Sequence, residues 1–166
     1  KKYAEAAENW IFRVSPRDEI QAPFIVADAL KRGFRKIALF ADTTGYGEAG
    51  TKDVEAALAA AGLKPVTVQR FPLGVKDLSE QVKAARAAGA DVVVSYTVGP
   101  EAAVLAKSIE KQKWPVQLMG SWPLCWRNFI DGAGSAGEGA LVAVSFIQQA
   151  GFQRRNAFIT AYTQKF

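Results

Sequence analysis

Two alanine-rich segments, Ala59-Ala60-Ala61-Gly62 and Ala87-Ala88-Gly89-Ala90, each lead from a helical pattern into a short apolar run. They read as one helix-to-strand solution used twice, with Gly62 and Gly89 suited to left-handed helix ends. The runs they join belong to a larger series. Lys36–Ala41, Pro65–Phe71, Asp91–Tyr96 and Val116–Gly120 are brief and rich in Val, Ile, Leu or Phe, and Ile11–Val14 and Ala140–Phe146 extend the series at both ends. Unbroken apolar runs, as opposed to strict alternation, suit strands covered on both faces.

Amphipathic helical patterns fill the intervals. Ile20–Lys31 carries Ile20, Phe24, Ala27 and Leu30, with Pro23 placed to open the regular helix. Gly47–Ala61 runs through Val54 and Leu58; Asp77–Ala88 carries Leu78, Val82 and Ala85 behind an acidic first turn; Glu101–Lys113 carries Val104, Leu105 and Ile109. Asn156–Phe166 reads as a last helix. A βα unit repeated at about 25–30 residues predicts a three-layer α/β fold with a mainly parallel sheet and right-handed crossovers.

Composition removes several chemistries. The 166 residues include no His and one Cys, so Ser-His-Asp triads, Cys-His dyads and a structural zinc site are excluded. No metal or cofactor is expected. Net charge is +5, with the pairs Lys1-Lys2 and Arg154-Arg155 near the two ends, and no nucleic-acid motif accompanies it. The charge is read as solvated surface, and no nucleic-acid partner is expected. The longest apolar stretch, around Ala136 to Ile147, is broken by Gly137, Glu138 and Gly139, far short of the ~20 residues a membrane helix needs. The chain opens Lys1-Lys2-Tyr3, in what reads as the end of a helix, and is expected to be a piece of something longer.

Gly45-Tyr46-Gly47-Glu48-Ala49-Gly50 matches the dinucleotide pattern G-x-G-x-x-G, between a strand and a helix. Arg70 stands about 20 residues on, where a 2′-phosphate contact would fall. Asp42-Thr43-Thr44 separate the strand from the first glycine, however, and a bulky Tyr46 occupies the tip where a pyrophosphate needs room. A glycine-rich loop that merely turns into a helix explains the same residues.

Ligands of open α/β sheets bind beyond the carboxyl ends of the strands. The loops there are Asp42-Thr43-Thr44-Gly45-Tyr46, Tyr96-Thr97-Val98-Gly99 and Ser121-Trp122-Pro123-Leu124-Cys125-Trp126. Together they hold hydroxyls and aromatic rings, one Asp, and no Lys or Arg. That suits a partly apolar small molecule held by a few hydrogen bonds, not a triphosphate or a divalent metal. Trp122 and Trp126, four apart, could equally be one face of a core helix. Cys125 is expected to be a small buried hydrophobe, Asp42 to bond its own loop backbone, and Asp91 to mark a strand entry structurally.

Phe12-Arg13-Val14, Asp42-Thr43-Thr44-Gly45-Tyr46-Gly47-Glu48, Gly89-Ala90-Asp91-Val92-Val93 and Leu118-Met119-Gly120, in that order and spacing, resemble the leucine/isoleucine/valine-binding protein family. These are type I periplasmic solute-binding proteins of ABC transporters. The resemblance implies a fold of two α/β lobes joined by three crossovers, with this chain supplying the second lobe. Residues 15–145 would form that lobe; residues 1–14 and 146–166 would be crossover and flanking segments of the missing first lobe. It implies ligand contacts at Tyr46 and at Tyr96, Thr97 and Val98; Thr44, Gly45, Ser121 and Trp122, from the same strand-end loops, are the further candidate contacts. Amino-acid binders of the family carry an acid two residues after Met-Gly to pair with the ligand ammonium. Trp122 stands there instead, which implies either a cation–π contact or a ligand without an ammonium, such as an aromatic or aliphatic carboxylate or an amide.

The resemblance thus implies a non-enzymatic periplasmic receptor. It would capture a small solute between its lobes and deliver it to a membrane permease. A ligand-sensing domain of a regulator on the same fold is the second reading, and a nucleotide-dependent enzyme using the glycine motif is the third.

Overall fold

The computed structural model describes residues 16–146 and 153–166. The strand expected at Ile11–Val14 and the segment Lys1–Trp10 lie outside the described residues. From Asp18 the chain alternates: α1 (Asp18–Lys31), β1 (Ile37–Asp42), α2 (Gly45–Ala60), β2 (Thr67–Phe71), α3 (Ser79–Ala87), β3 (Val92–Tyr96), α4 (Gly99–Lys111), β4 (Gln117–Gly120), α5 (Arg127–Ala133), β5 (Leu141–Val142) and α6 (Gln153–Lys165). Every strand pairing in the five-stranded sheet is parallel, in the order β2-β1-β3-β4-β5. The three-layer parallel architecture expected from the sequence is the one observed.

The sheet explains the unbroken apolar runs. Ala38 and Phe40 of β1, with Val93 of β3, face one core together with Leu78, Val82, Leu105 and Phe129 of the α3–α5 side. Ile37, Leu39 and Ala41 face the other, against Ala22, Ile25, Val26 and Ala29 of α1 and Val54 and Leu58 of α2. The central strands β1 and β3 are therefore buried at every position, whereas the edge strand β2 is polar and part-exposed at Gln69 and Arg70.

The helix endings repeat more fully than the two alanine motifs predict. Leu63 N–H bonds Leu58 C=O and Ala90 N–H bonds Ala85 C=O, with Gly62 and Gly89 at φ 73° and 74°. Phe34 N–H reaches Ala29 C=O past Gly33 (φ 95°), and Trp114 N–H reaches Ile109 C=O past Lys113 (φ 46°). The bond from the third residue beyond the helix to a carbonyl five back closes all four, and the fourth does so without glycine.

Several details differ from expectation. Helix α1 begins at Asp18, so Pro23 lies inside it. Its buried residues are Gln21, Ala22, Ile25, Val26 and Ala29, whereas Ile20 and Phe24 are 60% and 66% exposed. The buried set fills the i, i+4 stripe that packs against α2, and Ile20 and Phe24 fall outside that stripe. Helix α3 starts at Ser79, two residues late, because Asp77 instead accepts from the Ser79 hydroxyl. The strand expected over Ala140–Phe146 pairs only through Leu141 and Val142. The basic stretch Lys31 to Lys36 turns between α1 and β1. Arg32 pairs with Asp28 at 2.7 Å, and Asp91 accepts from the backbone of Arg35 and Lys36 at 2.9 and 3.0 Å. Asp91 is structural, as expected.

No residue of α6 is buried. Phe158, Tyr162 and Phe166 lie four apart and touch ring to ring at 6.0 and 5.0 Å, with Phe146 against Phe158 at 5.8 Å.

Candidate functional site

The strand order places a topological switch between β1 and β3. From β1 the chain moves to β2 on one side; from β3 it moves to β4 on the other. The loops after β1 and β3 diverge there, which is where doubly wound sheets open a crevice for ligands. Pairing of Ala41 with Tyr96 sets the residues that follow, Asp42 and Thr97, side by side in this crevice.

Asp42, the last residue of β1, is fully buried. Its Oδ1 accepts from Thr44 N–H at 2.9 Å and from the Thr44 hydroxyl; its Oδ2 accepts from the Thr97 hydroxyl at 2.8 Å and from Val98 N–H at 3.3 Å. The expectation of a bond to its own loop holds, and the carboxylate also crosses to the next loop. Thr44 in turn caps α2, accepting from Gly47 N–H at 3.4 Å. That sets Tyr46 in the first helical turn, where its hydroxyl meets Ser121 Oγ at 2.5 Å across to the loop after β4.

The glycine motif has a packing explanation. A Cβ at Gly47 would collide with the backbone and carboxylate of Asp42, and one at Gly50 with the Tyr96 ring; Gly45 faces open space. Two of the three glycines let α2 lie close on the sheet, a need independent of any phosphate.

The eight residues expected at the site divide by burial. Gly45 is exposed, and Thr44, Tyr46, Val98 and Trp122 are half-buried at the edge. Tyr96, Thr97 and Ser121 are 0%, 1% and 1% exposed, so they are occupied inside the protein and not open on its face. Tyr96 belongs to the core with Leu39 and Val54, its ring 5.4 Å from that of Tyr46. Thr97 and Ser121 spend their hydroxyls on Asp42 and Tyr46. Strand periodicity shows that a residue ends a strand but not how deep its side chain then turns. The link from Asp42 to Thr97 depends on strand register, which sequence alone does not supply.

Trp122 and Trp126 are not on one helix face. Trp122 opens a short 3₁₀ turn, Trp122–Cys125, with Pro123 second, while Trp126 precedes α5. Their rings meet edge to face, centroids 4.9 Å apart, and Trp126 is 37% exposed. Cys125, expected to be buried, is exposed, with its thiol 2.9 Å from the Trp122 carbonyl; the 3₁₀ turn points it outward while Pro123 and Leu124 take the inner side. A cavity of about 390 Å³ also opens beside Gly45, between the first turns of α1 and α2, walled by charged side chains including Asp18, Glu48, Lys52 and Asp53. Neither Tyr46 nor Trp122 lines it.

Burial pushes the Tyr46 hydroxyl well above the usual tyrosine range, more than its Ser121 bond pulls it down, and Asp18 and Asp42 add to the rise. Burial raises Tyr96 likewise, helped by Asp18 and by Tyr46. Both hydroxyls keep their protons more tightly in the folded chain than in the unfolded one. Above pH ~10 the unfolded chain releases these protons while the folded chain keeps them, so stability present below pH ~10 falls as pH rises. Urea midpoints measured from pH 9 to 12 are expected to decline less steeply for Tyr46→Phe than for the parent. Equal slopes would remove Tyr46 from the account.

The chain belongs to the periplasmic binding protein family, whose model matches residues 3–166. This is a family of binding proteins, not of enzymes. The fold is that of one lobe of a type I periplasmic binding protein. A type 1 periplasmic binding protein from Bordetella pertussis Tohama I is 24% identical and superimposes with a TM-score of 0.79 over 91% of this chain and 41% of its own. A leucine binding protein from Thermotoga maritima MSB8 is 20% identical, with a TM-score of 0.79 over 93% of this chain and 45% of its own. A branched chain amino acid ABC transporter periplasmic ligand-binding protein from Burkholderia xenovorans LB400 is 24% identical, with a TM-score of 0.76 over 90% of this chain and 40% of its own. The chain thus spans less than half the length of each of these structures. No curated protein matches it. Among the described residues, no helix is long and apolar enough to cross a membrane.

Proposed function

We propose that this chain is the second lobe of the periplasmic solute-binding component of an ABC importer, which holds a small organic solute between two lobes and presents it to a membrane permease. The observation that carries the reading is the aromatic edge that the loops after β1, β3 and β4 form at the switch point, beside the charged cavity at Gly45. Trp122 and Tyr46 are half-buried there, and the one carboxylate among the three loops, Asp42, is wholly engaged inside. An edge of this kind favours a ligand whose contact with this lobe is an apolar body, such as an aromatic or aliphatic carboxylate or an amide, over one that presents an ammonium to it. Thr44, Gly45 and Val98 complete the accessible rim.

On this reading residues 15–145 are the lobe, and the exposed aromatic face of α6 meets the first lobe. Rings this open gain most by being covered. A ligand-sensing domain of a regulator would share the site; a receiver or DNA-binding segment in the full-length protein would favour it.

Mass spectrometry of the full-length protein, released from its co-purifying solute, identifies the ligand. Calorimetry with that solute is then expected to show Tyr46→Ala weakened by about 1–3 kcal/mol, the usual size for an anchoring aromatic. Trp122→Glu is expected to weaken it as well, and to admit an α-amino acid. Parent-like affinity in both variants would remove this edge from the ligand site.

A further inference from the structure

We infer that Asp42 is a positioning residue: its buried carboxylate holds the two loops that flank the switch-point crevice in one fixed arrangement and thereby sets where Tyr46 stands. The role rests on the proposed ligand site, since Tyr46 matters for binding only if that site is real.

The chemistry requires a carboxylate. Asp42 receives two bonds on each oxygen, and on each oxygen one of the two donors is a backbone N–H, Thr44 on one side and Val98 on the other. A backbone N–H can only donate. Asparagine has the same shape, but one of its two positions is an NH₂ group. Whichever way the amide turns, a donor faces either Thr44 N–H or Val98 N–H, and one loop loses its anchor. The effect travels by contact. The Thr44 hydroxyl donates to Asp42 and accepts from Gly47 N–H, so the first turn of α2, which carries Tyr46, is registered against the carboxylate. Gly47 packs so close to Asp42 that the helix has no second seat. The crevice that a doubly wound sheet leaves open is closed at its base by this one group.

The opposite edge of the sheet supplies a matched control. Asp91 also accepts from two backbone amides, Arg35 and Lys36, with one on each oxygen. Asp91→Asn therefore removes a similar anchor without touching the ligand edge.

The test uses the full-length protein with 3-fluorotyrosine incorporated, its Tyr46 resonance assigned by loss in Tyr46→Phe, and needs no ligand. In Asp42→Asn, amide exchange at Thr44 or Val98 is expected to quicken about tenfold, the loss of one hydrogen bond, and the Tyr46 fluorine resonance is expected to shift or broaden. Thr97→Val removes one arm and keeps the carboxylate; it is expected to move the same signals by less, and it serves if the asparagine variant does not fold. Asp91→Asn is expected to leave Tyr46 in place. The inference is overturned if Tyr46 and both amides are unmoved in Asp42→Asn and Thr97→Val, or if Asp91→Asn moves Tyr46 as much. Because no ligand enters the measurement, that failure would leave the solute-binding reading standing. Failure of the Trp122 and Tyr46 calorimetry would leave the positioning result standing.

Discussion

Gly50→Ala is expected to destabilise the chain by about 2–3 kcal/mol, the upper range for forcing a methyl into a packed interior. A Cβ at Gly50 lands on the Tyr96 ring. The ring cannot step aside, because Tyr96 is fully buried among strand and helix side chains in the α1–α2 core. Helix α2 must lift instead, and with it Val54 and Leu58, which are fully buried one and two turns further on. Urea denaturation reads the loss directly. A change below about 0.5 kcal/mol would mean that α2 floats over the sheet and that the close contact is unimportant.

Tyr96→Ala is expected to cost more, about 3–5 kcal/mol, the range for deleting a buried aromatic side chain. The same variant separates a core role from a ligand role. A residue that served mainly the ligand would lose affinity and keep stability, whereas burial at 0% exposure predicts the reverse order of effects. Combining the two substitutions is more informative still. In the Tyr96→Ala background the methyl at Gly50 meets the space the ring has left. Gly50→Ala should then cost less than 1 kcal/mol, and the cycle should show a coupling of about 2 kcal/mol. Additive losses would contradict direct contact between the two positions.

How far the sequence carried the reading can be judged at particular residues. The strands were legible because Val92-Val93-Val94 and Ile37 to Ala41 are apolar at every position, a pattern that only a sheet covered on both sides explains. The ends of α2 and α3 were legible because glycine carries the left-handed residue at Gly62 and Gly89. The same turn after α4 was hidden, because Lys113 takes that conformation with no chemical mark of it. Which face of α1 lies inward was misleading, since the bulky Ile20 and Phe24 are outside and the alanines within. The inward stripe runs through Gln21, Ala22, Ile25, Val26 and Ala29, and side-chain size does not reveal it, since Ile25 lies within and Ile20 outside.

The candidate site followed the same division. That the loops after β1, β3 and β4 share an edge was implied by alternation of strand and helix. The depth of each side chain was not. Tyr96 ends β3 facing the α1–α2 core, whereas Thr97 and Ser121 differ from Tyr46 and Trp122 in the direction the chain takes after leaving the sheet, which is set by Asp42 and by the turn at Pro123.

The outward-facing thiol beside the indole pair has a practical side. The chain has a single cysteine, and it is exposed. One maleimide dye would therefore attach at one address, Cys125, within reach of the Trp122 ring whose carbonyl the thiol already touches. Indoles quench many dyes on contact, and the edge-to-face partner Trp126 fixes how the nearer ring can tilt. Any molecule that settles against Trp122 would displace the dye and change its brightness. On the reading that seats the solute against Trp122, this lobe thus carries its own attachment point for an optical reporter of occupancy.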